Sequence, residues 1–349
     1  MYEIEKKDIM KTNLFLIIAI LLGILACENQ ENDFEDFGTT ACYFPFQTPA
    51  RTLILGRYDL GFNDNDNNHR FEIGVTMGGV YENTEDRRVY FELAPELLEG
   101  HDSIVKVLPA SYYTIETASP VTIPAGSTKG RIMVQLNDAF FDDTLAFAPL
   151  NRVNYAIPLL ITGVENLDSV LSGKPAVDDP SRVVAEDWEI EPKDYTLFGI
   201  KFINKYHAMY LRRGVDAMTP AGGTTVLSTY HAEYVERDEV VMVTTTGNKN
   251  VELSNIIRRG SESSPGSVNI ELLFDGSDNC TIQSFENDPY NVTGTGKFVE
   301  NGGSWGGEDH DALFLQYNYT DGANNETHVV NDTLVVRNRN VVFEEFTLE

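Results

Sequence analysis

Positive charge is scarce in this chain: 26 Lys and Arg stand against 54 Asp and Glu, a formal net charge of −28 at pH 7. Residues 1–26 contribute nothing to that balance, because Glu3, Glu5 and Asp8 are matched by Lys6, Lys7 and Lys11. Such a surface repels phosphate backbones and anionic lipid unless a basic stripe gathers somewhere. Arg212-Arg213 and Arg258-Arg259 are isolated pairs, so nucleic acid is not an expected partner. Histidine is also sparse, and the six residues at 69, 101, 207, 231, 310 and 328 have no metal-ligand spacing. The run Asn63-Asp64-Asn65-Asp66-Asn67-Asn68 offers hard oxygen ligands but lacks the glycine and distal glutamate of an EF-hand loop, and it reads as a solvated turn. Neither a metal nor a cofactor is expected. A nucleophile elbow, a His-Glu-x-x-His pair and a phosphate loop are all missing, so the chain is not expected to be an enzyme. A glycoside hydrolase is the catalytic alternative, since it needs only two carboxylates across a cleft and an acidic chain always offers candidates.

Long apolar runs are absent but for one. Leu14 to Ile20 continues through Leu21, Leu22, Ile24, Leu25 and Ala26 and ends at Cys27. It is too short to span a bilayer comfortably, Lys11 precedes it and a small residue closes it, which together read as a signal peptide over 1–26. The sequence from Met10 alone already reads as a compact one. Ile24-Leu25-Ala26-Cys27 resembles a bacterial lipobox, with Cys27 as the lipidated residue. A lipoprotein cysteine, by that resemblance, carries two or three acyl chains, enough for stable anchoring in the outer membrane. Residues 27–40 are acidic and polar and read as a disordered tether. This tether is similar to the export signal that sends Bacteroidetes lipoproteins to the cell exterior, and reads equally as a solvated spacer. Of three cysteines, Cys42 and Cys280 then remain, far apart in sequence, and are expected to be buried and unpaired.

Helical periodicity is almost absent as well, and short β-rich runs separated by turn signals recur throughout, so the fold class is all-β. Between 41 and 165 the runs at 52–55, 71–75, 89–93, 111–117, 121–123, 130–136 and 155–161 suit an immunoglobulin-like sandwich. Within it, Val121–Ile123 and Arg131–Leu136 flank a Pro/Gly turn that reads as a hairpin. Residues 166–193, punctuated by Pro175, Pro180 and Pro192, read as a linker with one short helix at Leu167–Leu171 and with Trp188 packing the two domains together. From 194 to 349 longer runs, beginning with Leu197–Ile203 and His207–Leu211 and ending at Phe346, favour a closed antiparallel barrel, because closure removes exposed edges.

Several stretches then carry a resemblance. They are Tyr43–Leu53, Thr76–Tyr81 and Val134–Phe141 in the first half, and Gly199–His207, Tyr210–Gly214 and Asp332–Arg339 in the second. They are similar to Bacteroidetes surface lipoproteins of glycan-utilisation systems, which join an N-terminal immunoglobulin-like domain of unknown function to a C-terminal lipocalin-like barrel. The resemblance implies a non-catalytic accessory that binds or presents complex carbohydrate beside outer-membrane glycan-uptake proteins. It implies no agreed set of binding residues.

Candidate sugar contacts therefore come from chemistry alone: flat aromatic faces for the apolar side of a ring, with amides and carboxylates for its hydroxyls. Asn204, Tyr206 and Tyr210 would share one face of a strand; the bland reading makes them barrel wall. Trp305, within Gly302-Gly303-Ser304-Trp305-Gly306-Gly307, reads either as a stacking platform with Glu308 and Asp309 beside it or as a plug folded onto a barrel end. A structural or adhesion module that contacts protein is the alternative function.

Overall fold

The computed structural model describes residues 38–260 and 266–348. The signal peptide 1–26, the lipidation residue Cys27 and most of the tether lie outside the described residues.

Two sheets make the sandwich. In the first, Ser169–Val170, Ala41–Tyr43, Arg70–Gly78, Lys129–Leu136 and Tyr113–Ile115 lie side by side. In the second the order is Glu344–Glu345, Pro49–Ile54, Tyr195–Ile203, Tyr155–Glu165, Arg87–Leu93 and Val121–Ile123. Alternation does the packing: Ile132, Val134 and Leu136 point inward from one sheet onto Phe91, Ile157 and Phe202 of the other. Cys42 belongs to this core, and Cys280 to that of the barrel. Both are free and buried, and burial pushes each thiol up to about 12. Neither should react with a polar alkylating agent until the protein is denatured, and native labelling of either, read by intact mass, would contradict this packing.

Tyr195–Ile203 is buried on both sides. Phe198, Ile200 and Phe202 face the sandwich core, while Tyr195 and Leu197 face a second cluster with Leu98, Val105, Val153 and Phe346. On that second face Lys201 ion-pairs with Glu344 at 2.8 Å and donates to the carbonyls of Pro149 and Arg152. The chain thus returns from the barrel to close the sandwich. A domain boundary at 194, as the sequence suggests, places this strand with the barrel. It lies in the sandwich because its two flanking partners, Pro49–Ile54 in parallel and Tyr155–Leu160 antiparallel, both come from the first domain.

Three local expectations change. Leu167–Leu171 forms no helix; Ser169–Val170 pairs in parallel with Ala41–Cys42, fixed by Asp168 accepting from the backbone and hydroxyl of Thr40. Val121–Ile123 and Lys129–Leu136 are not hydrogen-bonded to each other but belong to opposite sheets, and Asn83 holds the crossing turn through the carbonyls of Pro124 and Ser127. The Asn63–Asn68 run is a short helix over Asp64–Asn67 that caps a strand end rather than a free turn. Buried Asp66 accepts from Arg51 at 2.6 Å and from the Ile54 amide at 2.8 Å. Burial lifts the Asp66 carboxyl above its ordinary range despite Arg51. Trp188 opens the strand Trp188–Ile190, which pairs with Lys174–Pro175, and its indole donates to the Ser181 carbonyl.

The C-terminal region is an eight-stranded closed antiparallel barrel. Ala208–Pro220 opens it, and Glu239–Thr245, Asn250–Ile256, Ser267–Phe274, Asn279–Ser284, Thr293–Trp305, Glu308–Asp321 and Glu326–Asn338 follow in order. Closure comes from pairing the first strand with the last over Met209–Pro220. The other edge of that first strand is shared, Ala208–Arg212 pairing with Glu239–Val243 and Gly214–Met218 with Val226–Tyr230.

Candidate functional site

An eight-stranded barrel has an interior just wide enough to be filled by side chains or to hold one small ligand. Here side chains occupy it. At the end nearest the sandwich, Tyr206 stacks on Phe274 with ring centroids 3.5 Å apart and meets Phe298 edge-on. Higher up, fully buried Arg212 donates to Asp332 at 2.6 Å, to Asn255 at 2.7 Å and to the Tyr317 hydroxyl at 3.1 Å. Asp332 also accepts from the hydroxyls of Tyr317 and Tyr230. Beyond it, His328 pairs with Asp216 at 3.0 Å and stacks on Tyr319. Arg259 bridges Asp321 and Glu326. Buried charges matched in this way specify the interior. Such an interior leaves the outer wall and the barrel ends as the surfaces open to a ligand.

Of the residues named from sequence, three belong to the interior. Tyr210 is fully buried with its hydroxyl on the Tyr206 carbonyl, and Tyr206 is buried with its hydroxyl on Asp278 at 2.8 Å. Burial, then the neighbouring Asp278, holds the Tyr206 phenol far above its ordinary range. Asn204 is a buried clasp: its amide donates to the carbonyls of Gly247 and Asn250, and its oxygen accepts from the Tyr206 amide. These three are thus walls and pins, with no ring face or amide left for a sugar. The strand starts only at Ala208, so the shared face expected for Asn204, Tyr206 and Tyr210 does not exist.

Trp305, Glu308 and Asp309 stay at the surface. Gly306 and Gly307, at φ +63° and +84°, make the turn of the hairpin, a left-handed pair that residues with a Cβ rarely adopt. Half-buried Trp305 stacks on His310 at 4.4 Å and donates its indole N–H to the Val336 carbonyl at 2.9 Å. It is thereby fastened to the barrel end, with one face taken. With Glu308 it lines a cleft of about 200 Å³ whose opposite wall is Arg57, Tyr58, Asp59 and Leu60 of the sandwich. Arg57 crosses the cleft to Asn301 at 2.6 Å. Asp309 is exposed beside the turn. A cleft of this size lies below the range of about 300–1,000 Å³ usual for ligand sites.

A larger feature, unmarked by any motif, is a groove of about 620 Å³ on the outer barrel wall. Register builds it. Arg213 lies opposite Thr333, Thr333 opposite Phe314 and Phe314 opposite Lys297, one row across four strands. The next row runs Thr229, Val215, Asn331, Gln316 and Thr295. Side chains on alternate positions share a face, so an outward ring, Phe314 at 39% exposed, stands among two amides, three threonine hydroxyls and two cations. Gly214 keeps the wall closed beneath: a Cβ there would lie 2.4 Å from both the Asn331 carbonyl and the Asp332 carboxylate. Alternation along Ala312–Thr320 marks Phe314 and Gln316 as outward, but the row itself needs the register of four strands.

Residues 205–340 match a family described as "Domain of unknown function (DUF5627)", and residues 36–168 match one described as "-like, N-terminal domain". A crystal structure of a Bacteroides ovatus protein of unknown function, at 2.40 Å, is 35% identical with a TM-score of 0.79, covering 88% of this chain and 97% of that one. A second Bacteroides ovatus protein of unknown function is 15% identical with a TM-score of 0.41, covering 86% of this chain and 94% of that one. An auxiliary nutrient binding protein from Bacteroides thetaiotaomicron VPI-5482 is 11% identical with a TM-score of 0.38, covering 82% and 90%. Overlaps as loose as the last two carry no argument about this chain. No curated protein matches it. With 35% identity across nearly the whole of both molecules, the chain belongs to the family of the first Bacteroides ovatus protein.

Proposed function

We propose that this protein captures complex carbohydrate without transforming it, held to the outer membrane through Cys27 and facing the cell exterior beside glycan-uptake proteins. The observation that carries the reading is the outer groove, where an exposed aromatic ring on rigid strands is surrounded by amide and hydroxyl groups. An aromatic face covers the apolar side of a sugar ring, and amides and hydroxyls match its hydroxyl groups. Catalysis of the glycosidase kind would want two carboxylates across the groove. Its one carboxylate, Asp332, is engaged inside the barrel by Arg212, Tyr317 and Tyr230. The lipid anchor rests on the apolar run ending at Cys27 and on the acidic tether after it.

Affinity electrophoresis and calorimetry against a panel of plant and host polysaccharides test the reading. At least one polymer should bind, and Phe314→Ala should weaken it about ten-fold, the loss of roughly 1.4 kcal/mol of stacking and burial. Failure of every polymer to bind, or binding indifferent to Phe314, would remove the groove from the account. A second reading, a module that docks on protein, is favoured by one patch: Phe62, Phe343 and Val342 are 101%, 64% and 60% exposed, with Phe46 packed on Phe343. Cross-linking of whole cells followed by mass spectrometry would test it, with adducts expected on this patch.

A further inference from the structure

On a chain of net charge −28, an arbitrary stretch of surface should be acidic. The groove is not. Among its lining residues the cations are Arg213 and Lys297, and the single carboxylate, Asp332, is turned into the barrel. Resting on the carbohydrate reading, we infer that the groove binds an acidic polysaccharide, with Phe314 beneath a sugar ring and Lys297 and Arg213 on carboxylate or sulfate groups to either side.

The register sets the geometry. Arg213 and Lys297 close the two ends of the row that has Thr333 and Phe314 in its middle. Three strand spacings separate them, about 14 Å along the sheet. That distance suits anionic groups on different units of one chain rather than a single small anion held by both. Lys297 is exposed and ion-pairs with no carboxylate among the described residues. Arg213 is positioned differently. Buried Asp238 takes its Nε at 2.6 Å, which fixes the guanidinium, and a third of the side chain remains exposed. Asn331 and Gln316 in the second row supply donors and acceptors for hydroxyl groups, which an acidic sugar retains. A neutral polymer would use the ring and the amides and would gain nothing from the cations.

The overall negative charge does not forbid this. At 0.15 M salt the screening length is about 8 Å, so carboxylates elsewhere on the surface act weakly while a cation in contact acts fully. Contact between a cation and a carboxylate or sulfate is a charge-assisted hydrogen bond, stronger than its neutral counterpart.

Calorimetry at that salt concentration compares two matched pairs on the intact protein: polygalacturonate with its methyl-esterified form, and dextran sulfate with dextran. The charged member of at least one pair should bind at least ten-fold more tightly than its neutral partner, and which pair responds separates carboxylate from sulfate. Lys297→Gln should weaken the charged polymer about five- to ten-fold more than it weakens the neutral partner. Phe314→Ala should weaken both. Equal affinity within both pairs, or a charged polymer indifferent to Lys297→Gln, overturns the acidic class and leaves carbohydrate capture standing. Absence of binding to these four and to every polymer of the wider panel removes both.

Discussion

Replacing Arg212 by methionine is expected to cost the barrel roughly 3–5 kcal/mol, the range for removing one partner of a buried ion pair. Arg212 and Asp332 are both fully inaccessible at the side chain and lie 2.6 Å apart. Without the guanidinium, the Asp332 carboxylate keeps the hydroxyls of Tyr230 and Tyr317 but has no counter-charge. Asn255 loses its 2.7 Å donor as well. The cost arises from stranding a charge rather than from the worth of the pair, so removing both charges should recover part of it. Arg212→Met with Asp332→Asn is expected to be less destabilised than the sum of the single changes, with a coupling of roughly 2 kcal/mol. Denaturant unfolding reads this cleanly in a Trp188→Phe background, because the remaining tryptophan, Trp305, is tied to the barrel strand at Val336. A loss below about 1 kcal/mol for Arg212→Met would mean that water already shields the carboxylate. The neighbouring Arg213 points to the other side of the wall, and its change should act on stability as well as on binding, because it too leaves a buried carboxylate, Asp238, without its counter-charge.

That pair of arginines illustrates what the sequence makes legible. Arg212-Arg213 looks like a small basic cluster on paper, and period-two alternation separates the two: one residue is the most buried cation of the barrel, the other lines the outer groove. The all-β class, the sandwich followed by a closed barrel and the strand spacing all follow from short-range patterns, because alternation and turn residues are local signals. The site did not follow. Tyr206 and Tyr210 beside Asn204 suit a sugar on paper, but a barrel end also needs large rings to seal it, and their phenol groups have internal acceptors. Phe314 stands in sequence amid Leu313, Leu315, Tyr317 and Tyr319, all inward, and no motif marks it. Its neighbours in the groove are about 17, 19 and 100 residues away in sequence, brought together only by strand order, which a single chain does not spell out. The domain to which Tyr195–Ile203 belongs is hidden for the same reason. An unbroken apolar run marks a strand covered on both faces, yet nothing local says which domain covers it.

Acid should loosen the junction between the two domains through His207. The imidazole is buried just after the sandwich strand Tyr195–Ile203, and its Nδ1 accepts the Thr245 amide at 3.0 Å, which requires that nitrogen to be unprotonated. Burial, with the charges of Arg339 and Lys201 nearby, pushes its pKa down from 6.5 to about 3. Arg339 cannot move away, because it donates to the carbonyls of Leu55, Asn204 and Lys205 and so joins the sandwich, the connecting turn and the last barrel strand. A folded-state value below the unfolded one favours the neutral form on folding. The stability it contributes is complete above pH 6.5 and is lost as the pH falls, by about 1.4 kcal/mol per unit, until the folded state also takes the proton near pH 3. His207→Gln keeps an acceptor for the Thr245 amide and removes the titration. The variant is expected to be less stable than the parent at pH 7 through lost packing, and to gain on it by roughly 3 kcal/mol between pH 6.5 and pH 4. Carboxylates titrate in both proteins and cancel in the difference, so urea midpoints taken at half-unit pH steps isolate the histidine. Parallel curves for parent and variant would place the proton elsewhere and leave the junction held by Lys201, Glu344 and Arg339 alone.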